Sequence, residues 1–355
     1  MGIVENRNEK VANDLELESV DFVEFSDKNH DRLQSLFNDF GFSMTHQDPK
    51  RKVEYFAQND IRFLLNSDPA TRGFHFSSVH GPAISAMGWR FKDAQKAYKM
   101  ALDRGAKPAD RGDYFHKDGA PLPAIMGIGD SLIYFTDRKT SLLEQISFVP
   151  ATHAKMVPNK GFQEIDHLTN NVYLGTMIEW ADFYKKIFGF YEVRYFDIKG
   201  KKTGLQSYAL KAPSGLFSIP INEAQEKKSQ INEYLEEYKG PGVQHLAFST
   251  TNIIQSIQAL ESTSIDTLDI SSDYYRSVFD RVPNVKEDKK EIERLNILVD
   301  GDAEGYLLQI FTKNLVGPIF IEVIQRKNHH SFGEGNFQAL FESIERDQER
   351  RGYLK

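Results

Sequence analysis

The 355-residue chain contains no cysteine, which excludes disulfides, thiolate nucleophiles and zinc-thiolate sites. No apolar run approaches the ~18 residues of a membrane span, and the polar start is unlike a signal peptide. Asn6 stands where a myristoylation signal has serine or threonine. The net charge of −7 and the absence of a Lys/Arg run argue against nucleic acid or an anionic membrane as the main partner. We therefore expect a cytoplasmic protein.

The remaining composition is that of an ordinary globular protein, with 40% hydrophobic and 27% charged residues. The length suffices for two domains, each with its own core. The order of apolar segments and prolines predicts a flexible arm (1–18), a first domain (19–150), a linker (151–160) and a second domain (161–355). The last helix, predicted at 336–351, follows a glycine-bearing loop that could let it act as a lid.

The two halves repeat the same local patterns. DFVEFS resembles DHLTNN, GPAISAMGWRF resembles GPGVQHLAFST, and SLLEQISF resembles IFIEVIQR. This alignment matches His167 with Phe22, His245 with Ala86, and Glu322 with Glu144. The first half therefore lacks the histidines, and we expect a metal site in the second half alone.

His167, His245 and Glu322 each lie in a short apolar segment rich in β-branched residues, which predicts a strand. Three such side chains on one face of a sheet would hold Fe(II) and leave coordination positions open. Taken singly, each histidine could instead be an ordinary core residue with no metal. The glutamate could instead lie on an edge strand and face water. A buried glutamate is costly unless it is paired or bound to a metal. Glu144, without histidine partners, is expected to form a structural or interface ion pair.

Each half holds two strand-helix-strands units, which predicts four βαβββ-type modules in two tandem domains. Helices on one face of curled, mostly antiparallel sheets give an α+β fold. The C-terminal domain is expected to form an open barrel around the metal, closed by the C-terminal helix.

From about Val20 to Gly352 the chain resembles 4-hydroxyphenylpyruvate dioxygenase, of the vicinal-oxygen-chelate superfamily. The segments that carry the resemblance occur in order along the second half: DHLTNNV, SIPINEAQEKKSQI, GPGVQHLAF, LLQIFT, GPIFIEVIQR and FGEGNFQALFESIERDQ. The resemblance implies one Fe(II) in the C-terminal domain, held by His167, His245 and Glu322. It also implies a homo-oligomer, a dimer or a tetramer.

The resemblance further implies a polar set in the substrate pocket and aromatic side chains against the substrate ring. The polar set is Ser207, Asn222, Gln230, Gln244, Gln309 and Asn336. Phe332 and Phe337 are the side chains placed against the ring, and Phe311 is a further site residue. Neutral amides and a hydroxyl orient a phenol and an α-keto acid without adding charge beside the metal. Gln244 precedes a ligand in its strand, so it should point to the opposite face unless the strand is bent. Ser331 stands where the family usually has glycine.

The activity implied is conversion of 4-hydroxyphenylpyruvate and O2 to homogentisate and CO2 by decarboxylation, ring hydroxylation and side-chain migration, in tyrosine catabolism. One alternative is 4-hydroxymandelate synthase, which uses the same substrate and metal but oxidises the benzylic carbon. Another is a non-catalytic small-molecule binding protein of the same fold. An extradiol ring-cleaving dioxygenase would share the ligand set, but the lid and the glutamines fit it poorly.

Overall fold

A computed structural model describes residues 12–200 and 202–354 of the chain. The elements of the first half are β1 (Leu17–Ser26), α1 (His30–Asp39), β2 (Ser43–Gln47), β3 (Val53–Gln58), β4 (Ile61–Asn66), α2 (Arg72–His80), β5 (Ala83–Phe91), α3 (Ala94–Asp103), β6 (Ala124–Met126), β7 (Leu132–Asp137), α4 (Leu142–Gln145) and β8 (Val149–Lys155). They build one eight-stranded sheet in the order β6-β7-β5-β1-β4-β3-β2-β8.

The second half builds another eight-stranded sheet. Its elements are β9 (Phe162–Val172), α5 (Met177–Phe188), β10 (Tyr191–Lys199), β11 (Gly204–Lys211), β12 (Ser218–Ala224), α6 (Gln230–Tyr238), β13 (Gly242–Thr250), α7 (Ile253–Gln258), α8 (Ser272–Arg281), α9 (Lys289–Arg294), β14 (Leu298–Gly301), β15 (Tyr306–Phe311), β16 (Phe320–Lys327) and α10 (Phe337–Arg350). The strand order is β10-β11-β12-β9-β13-β16-β15-β14.

The two sheets have equivalent connections, which confirms the predicted tandem α+β domains. In each, the first strands of two modules pair antiparallel, β1 with β5 and β9 with β13. Each first strand also lies parallel to the last strand of its own module, as β9 does to β12 and β13 does to β16. The second module of the first half is shorter than the others. After its helix α3 it has two strands, β6 of three residues and β7.

Two predicted boundaries differ from the structure. Residues 1–11 of the predicted arm lie outside the described residues, but Leu15 and Leu17 are buried and β1 begins at Leu17, so the last part of the arm is ordered. The first half of the predicted linker belongs to β8, which pairs with β2 at the edge of the sheet. An edge strand tolerates the proline at position 150, and this proline hid the strand in the sequence.

The halves are joined by a shared aromatic core between the two sheets. Trp89 of β5 packs on Phe188 of α5 with ring centroids 4.5 Å apart, and Phe63 of β4 meets Phe248 of β13 at 5.9 Å. One continuous cluster of buried apolar residues extends from Leu15 to Phe341. The helices and the outer faces of both sheets thus pack together in one core. The concave face of each sheet lies largely outside this core.

The strand pairing corrects one of the three matched positions. Phe22 pairs with Gly88 and His167 with Ala247, so Phe22 corresponds to His167 and Ala86 to His245. On the neighbouring strands, Gly88 pairs with Tyr134 and Ala247 pairs with Glu322. Tyr134 is therefore the equivalent of Glu322.

The match with Glu144 was wrong, because Glu144 is not on a strand. It lies in α4, where its side chain accepts hydrogen bonds from the backbone N–H and hydroxyl of Ser141 and so closes a capping box. Across the described residues, no helix combines the length and the apolar character needed to span a membrane.

Candidate metal centre

Three neighbouring strands bring the predicted ligands together. His167 lies on β9, His245 on β13 and Glu322 on β16, and one ligand atom from each lies within 4.8 Å of the others. Oε2 of Glu322 is 3.1 Å from Nε2 of His167 and 3.5 Å from Nε2 of His245. All three side chains are buried. Two imidazole nitrogens and a carboxylate oxygen, aimed at one point, are a donor set that fits a divalent transition metal.

The orientation of both histidines is set by β-bulges. The pairing of β9 with β13 slips by one residue at Asp166 and again at Gln244, and each of these extra residues immediately precedes a ligand. Nδ1 of His167 lies 2.8 Å from Oδ1 of Asp166, and Nδ1 of His245 lies 3.0 Å from Oε1 of Gln244. A donor contact at Nδ1 leaves Nε2 free to bind a metal, as is usual for ligand histidines. The bulge also explains why Gln244 faces the cavity rather than the opposite side of the sheet.

The electrostatics of the triad favour a bound cation. Burial alone would lower the pKa of His167, but the Glu322 and Asp166 carboxylates outweigh burial and raise this pKa to about 9. Burial likewise opposes ionisation of Glu322, but the two imidazoles lower its pKa to about 2. For His245 the cost of burial prevails and the pKa falls. A carboxylate that stays ionised in a buried site, beside imidazoles, is the charge pattern a metal ion would complete.

Asp166 and Arg326 are functional candidates that the sequence analysis missed. Arg326 of β16 donates two hydrogen bonds to Asp166, from Nε and from Nη2, each 2.8 Å long. Asp166 thus holds both the metal-facing His167 and a guanidinium. A sequence signal was present, because the aspartate directly precedes the ligand and the arginine follows Glu322 by four residues, but spacing alone does not bring β9 and β16 together.

Glu322 is held from the other side by the loop that leads into α10. Nε2 of Gln309 donates to Oε1 of Glu322 at 2.9 Å, and Oε1 of Gln309 accepts from Nδ2 of Asn336 at 3.0 Å. Gly333 must be glycine here, because its φ is +77° and a Cβ would lie 2.0 Å from Oε1 of Gln309. The loop backbone therefore packs closely against Gln309, the side chain that donates to Glu322.

The triad lines a cavity enclosed by β9 to β13, β15, β16 and α10. The structure brings all the sequence-predicted pocket residues to its wall: Ser207, Asn222, Gln230, Gln244, Gln309, Phe311, Phe332, Asn336 and Phe337. The ring of Phe332 lies 5.9 Å from that of His167, and Phe337 packs edge-on against Phe196 at 5.1 Å. Apolar residues of α10 complete the wall, so the helix covers the cavity as a lid would.

Comparisons with known protein families cover both halves. The N-terminal domain of hydroxyphenylpyruvate dioxygenase matches residues 11–147. The glyoxalase, bleomycin resistance protein and dioxygenase superfamily matches residues 164–277.

Individual relatives match over nearly the whole chain. Protein MelA of Shewanella colwelliana is 54% identical over 345 residues, which span 96% of this chain and 99% of that protein. The 4-hydroxyphenylpyruvate dioxygenase of Legionella pneumophila (strain Corby) is 42% identical over 342 residues, spanning 96% and 97%. Among solved structures, a mutant of 4-hydroxymandelate synthase from Streptomyces coelicolor superposes with a TM-score of 0.81 over 94% of this chain and 99% of that chain, at 21% identity. At that identity the likeness shows a common fold.

Proposed function

This chain belongs to the 4-hydroxyphenylpyruvate dioxygenase family of enzymes, and from that premise we propose that it converts 4-hydroxyphenylpyruvate and O2 to homogentisate and CO2. The cofactor proposed is one Fe(II) ion held by His167, His245 and Glu322. The role proposed is in the breakdown of tyrosine and phenylalanine.

The observation that carries this proposal is the charge distribution of the cavity. Among the described residues that line it, the only ionisable side chains are the three ligands, and the rest are amides, hydroxyls and apolar groups. An α-keto acid entering such a cavity has no lysine or arginine to offset its carboxylate, so its negative charge must be balanced at the metal. A neutral wall with one cation suits a substrate whose acid group is also its reactive end.

Fe(II) bound by two histidines and a carboxylate would leave positions for the keto acid and for O2, and would supply the activation of oxygen. The chain's own residues supply position. Asp166 and Gln244 hold the ligand imidazoles at Nδ1, so that both Nε2 atoms point into the cavity. Phe332 and Phe337 offer faces and edges to the substrate ring and exclude water from it.

We assign the polar wall to substrate orientation. Ser207 and Asn222 are paired across β11 and β12, and Gln230 begins α6, so these groups line the cavity from the β11–β12 side. Their neutral donors and acceptors would bind the phenol and keto groups without competing for the metal. Gln309 and Asn336 are already bonded to each other, and their proposed role is to hold the closed lid beside Glu322.

The proposal includes a homo-oligomer, a dimer or a tetramer. Edge strand β10 exposes apolar side chains, with Val193 39% and Tyr195 44% accessible. Exposed apolar groups on a strand edge favour association with another chain. Light scattering on the purified protein tests this, and a monomer at micromolar concentration would contradict it.

The decisive experiment is product identification. The purified protein is loaded with Fe(II) without oxygen, mixed with 4-hydroxyphenylpyruvate and O2, and analysed by chromatography and mass spectrometry. We expect homogentisate and CO2 in equal amounts, lost in His167→Ala and kept in His153→Ala, which alters an exposed histidine of β8. 4-Hydroxymandelate would make the protein a synthase, and bound iron without turnover would make it a binding protein.

A further inference from the structure

Arg326 makes two sets of contacts at once. Its Nε and Nη2 bind Asp166, which in turn holds Nδ1 of His167. Its remaining nitrogen, Nη1, donates to the backbone carbonyls of His329 at 3.2 Å and Ser331 at 2.6 Å. These carbonyls belong to the segment 328–336 between β16 and α10, which we call the lid loop. One guanidinium therefore joins a metal ligand to the loop that carries the lid.

The fork shape of the guanidinium suits this double contact. A bidentate pair with a carboxylate fixes the plane of the group, and the direction of the third nitrogen is then also fixed. Arg326 and Asp166 are both largely enclosed, with side chains 19% and 15% exposed. Solvent thus competes little for these bonds.

A second contact ties the same loop to the other side of the metal centre. Nε2 of Gln309 donates to the carbonyl of Phe332 at 3.2 Å as well as to Glu322. Arg326 and Gln309 thus bind the carbonyls of three lid-loop residues between them. Arg326 also binds Asp166, which contacts His167, and Gln309 also binds Glu322. Gln309 is part of the polar wall already described, whereas Asp166 and Arg326 do not line the cavity.

The first half contains a natural comparison for the aspartate–arginine pair. Asp21 is the extra residue of the equivalent bulge in β1 and pairs with Arg90 of β5, with Arg62 at 3.6 Å. There the next residue is Phe22 rather than a ligand. An arginine on this aspartate is therefore a feature of both sheets, and the links to an imidazole and to a lid loop are what the second half adds.

We propose that Asp166 and Arg326 are positioning residues that couple the orientation of His167 to the closed position of the lid loop. Binding of the metal fixes the imidazole, the imidazole fixes Asp166, and Arg326 then holds the loop carbonyls in place. In the reverse direction, opening of the loop releases Arg326 and loosens the imidazole. The metal centre and the lid would close as one unit. This inference rests on the metal site of the proposed function, but not on which product is formed.

The test compares Arg326→Lys and Asp166→Asn with Arg90→Lys and Asp21→Asn, which alter the aspartate–arginine pair of the first half. Affinity for Fe(II) is measured without oxygen by competition with a coloured chelator, and hydrogen–deuterium exchange of the lid loop is followed with and without Fe(II). Lysine keeps the charge but cannot bind the carboxylate and two carbonyls together. Asparagine keeps an acceptor for His167 but weakens the bond to Arg326.

We expect Fe(II) to slow exchange in the lid loop of the unaltered protein. In the two second-half variants, affinity should fall by about tenfold or more, the usual effect of losing a group that orients a ligand, and Fe(II) should no longer slow exchange. The first-half variants should lower the melting temperature and leave both readings unchanged. Equal Fe(II) affinity and equal loop protection in Arg326→Lys would overturn the coupling, as would failure of the unaltered protein to bind Fe(II). Iron binding with loop protection but without homogentisate would reject the proposed function and leave the coupling intact.

Discussion

The two halves of this chain share a strand order, a pair of bulges and an aspartate–arginine pair, yet among the described residues only the second half brings three metal-ligand side chains together. At the three equivalent positions, the first half has Phe22, Ala86 and Tyr134 where the second has His167, His245 and Glu322. The difference shows that the scaffold does not itself make a site. It supplies three converging positions, and the side chains decide whether they become a core or a metal centre.

The concave face of the first sheet is filled rather than hollow. Phe22 packs against Tyr114 and Tyr134 with ring centroids 5.8 and 5.9 Å apart, within a separate buried cluster. The ring of Phe22 lies directly over Gly88, where an added Cβ would come within 2.1 Å of it. The equivalent of Gly88 in the second half is Ala247, next to a smaller imidazole. Aromatic rings thus occupy the volume that the second half keeps open for a substrate.

The largest effect is expected from removing the one negative charge of the triad. Glu322→Gln keeps the shape and can still accept the hydrogen bond from Gln309, but it loses the anion that favours a cation. Affinity for Fe(II) should fall by more than about 100-fold, beyond the usual loss from a group that only orients a ligand, and turnover should fall with it. Chelator competition measures the first and product analysis the second.

The matched control for that variant is Glu144→Gln, at the glutamate that sequence alignment paired with Glu322. Glu144 is exposed, and glutamine at this position can still close the capping box of α4, so this change should alter stability little and leave iron binding unchanged. Loss of iron binding in Glu144→Gln, or its retention in Glu322→Gln, would contradict the assignment of Glu322 as a metal ligand.

The next effect tests how tightly the metal-free half is filled. Gly88→Val should lower the free energy of unfolding by about 3 kcal/mol, because the new side chain would overlap the ring of Phe22. Valine suits a strand, so the cost would come from packing and not from backbone preference. Iron affinity should not change, since the site lies in the other sheet. Chemical denaturation and chelator competition measure the two quantities.

A double variant makes the source of that cost explicit. Phe22→Ala creates a cavity, and valine at position 88 should partly fill it, so Phe22→Ala/Gly88→Val should lose less stability than the two single changes added together. Strictly additive losses would show that the two side chains do not share the space, and the contrast between a filled and a hollow face would fail.

Much of the fold and the ligand set could be predicted from sequence, because they depend on periodic apolar segments and on a family resemblance. The errors and omissions occur where tertiary pairing decides. Glu144 resembled Glu322 in its local segment, yet it caps a helix, and Tyr134 is the residue that register aligns. Asp166 and Arg326 lie 160 residues apart in the chain, and only the adjacency of β9, β13 and β16 brings them together. Bulges at Asp166 and Gln244 leave no local sequence mark, and they reverse which face a side chain occupies.

The smallest effect concerns a buried carboxyl group that the first half keeps without a metal. Glu24 of β1 is fully buried and accepts hydrogen bonds from Ser85, Tyr114 and Asn66. Burial, with the nearby carboxylate of Asp113 adding to it, raises the pKa of Glu24 from 4.5 to about 7. Between those values the folded chain holds a proton that the unfolded chain has lost.

The sign of the pH dependence follows from that difference. The stabilising contribution is complete below the unfolded pKa of 4.5 and is lost as pH rises through the folded value of about 7. Glu24→Gln cannot ionise, so its stability should decline less than that of the unaltered protein between pH 5 and pH 8, by about 2–3 kcal/mol. Urea denaturation at both pH values measures the difference. Identical declines would mean that Glu24 ionises in the folded protein as readily as in water. The first half would then bury an ionised carboxylate without a metal ion. Glu24 and Glu322 would no longer differ in charge.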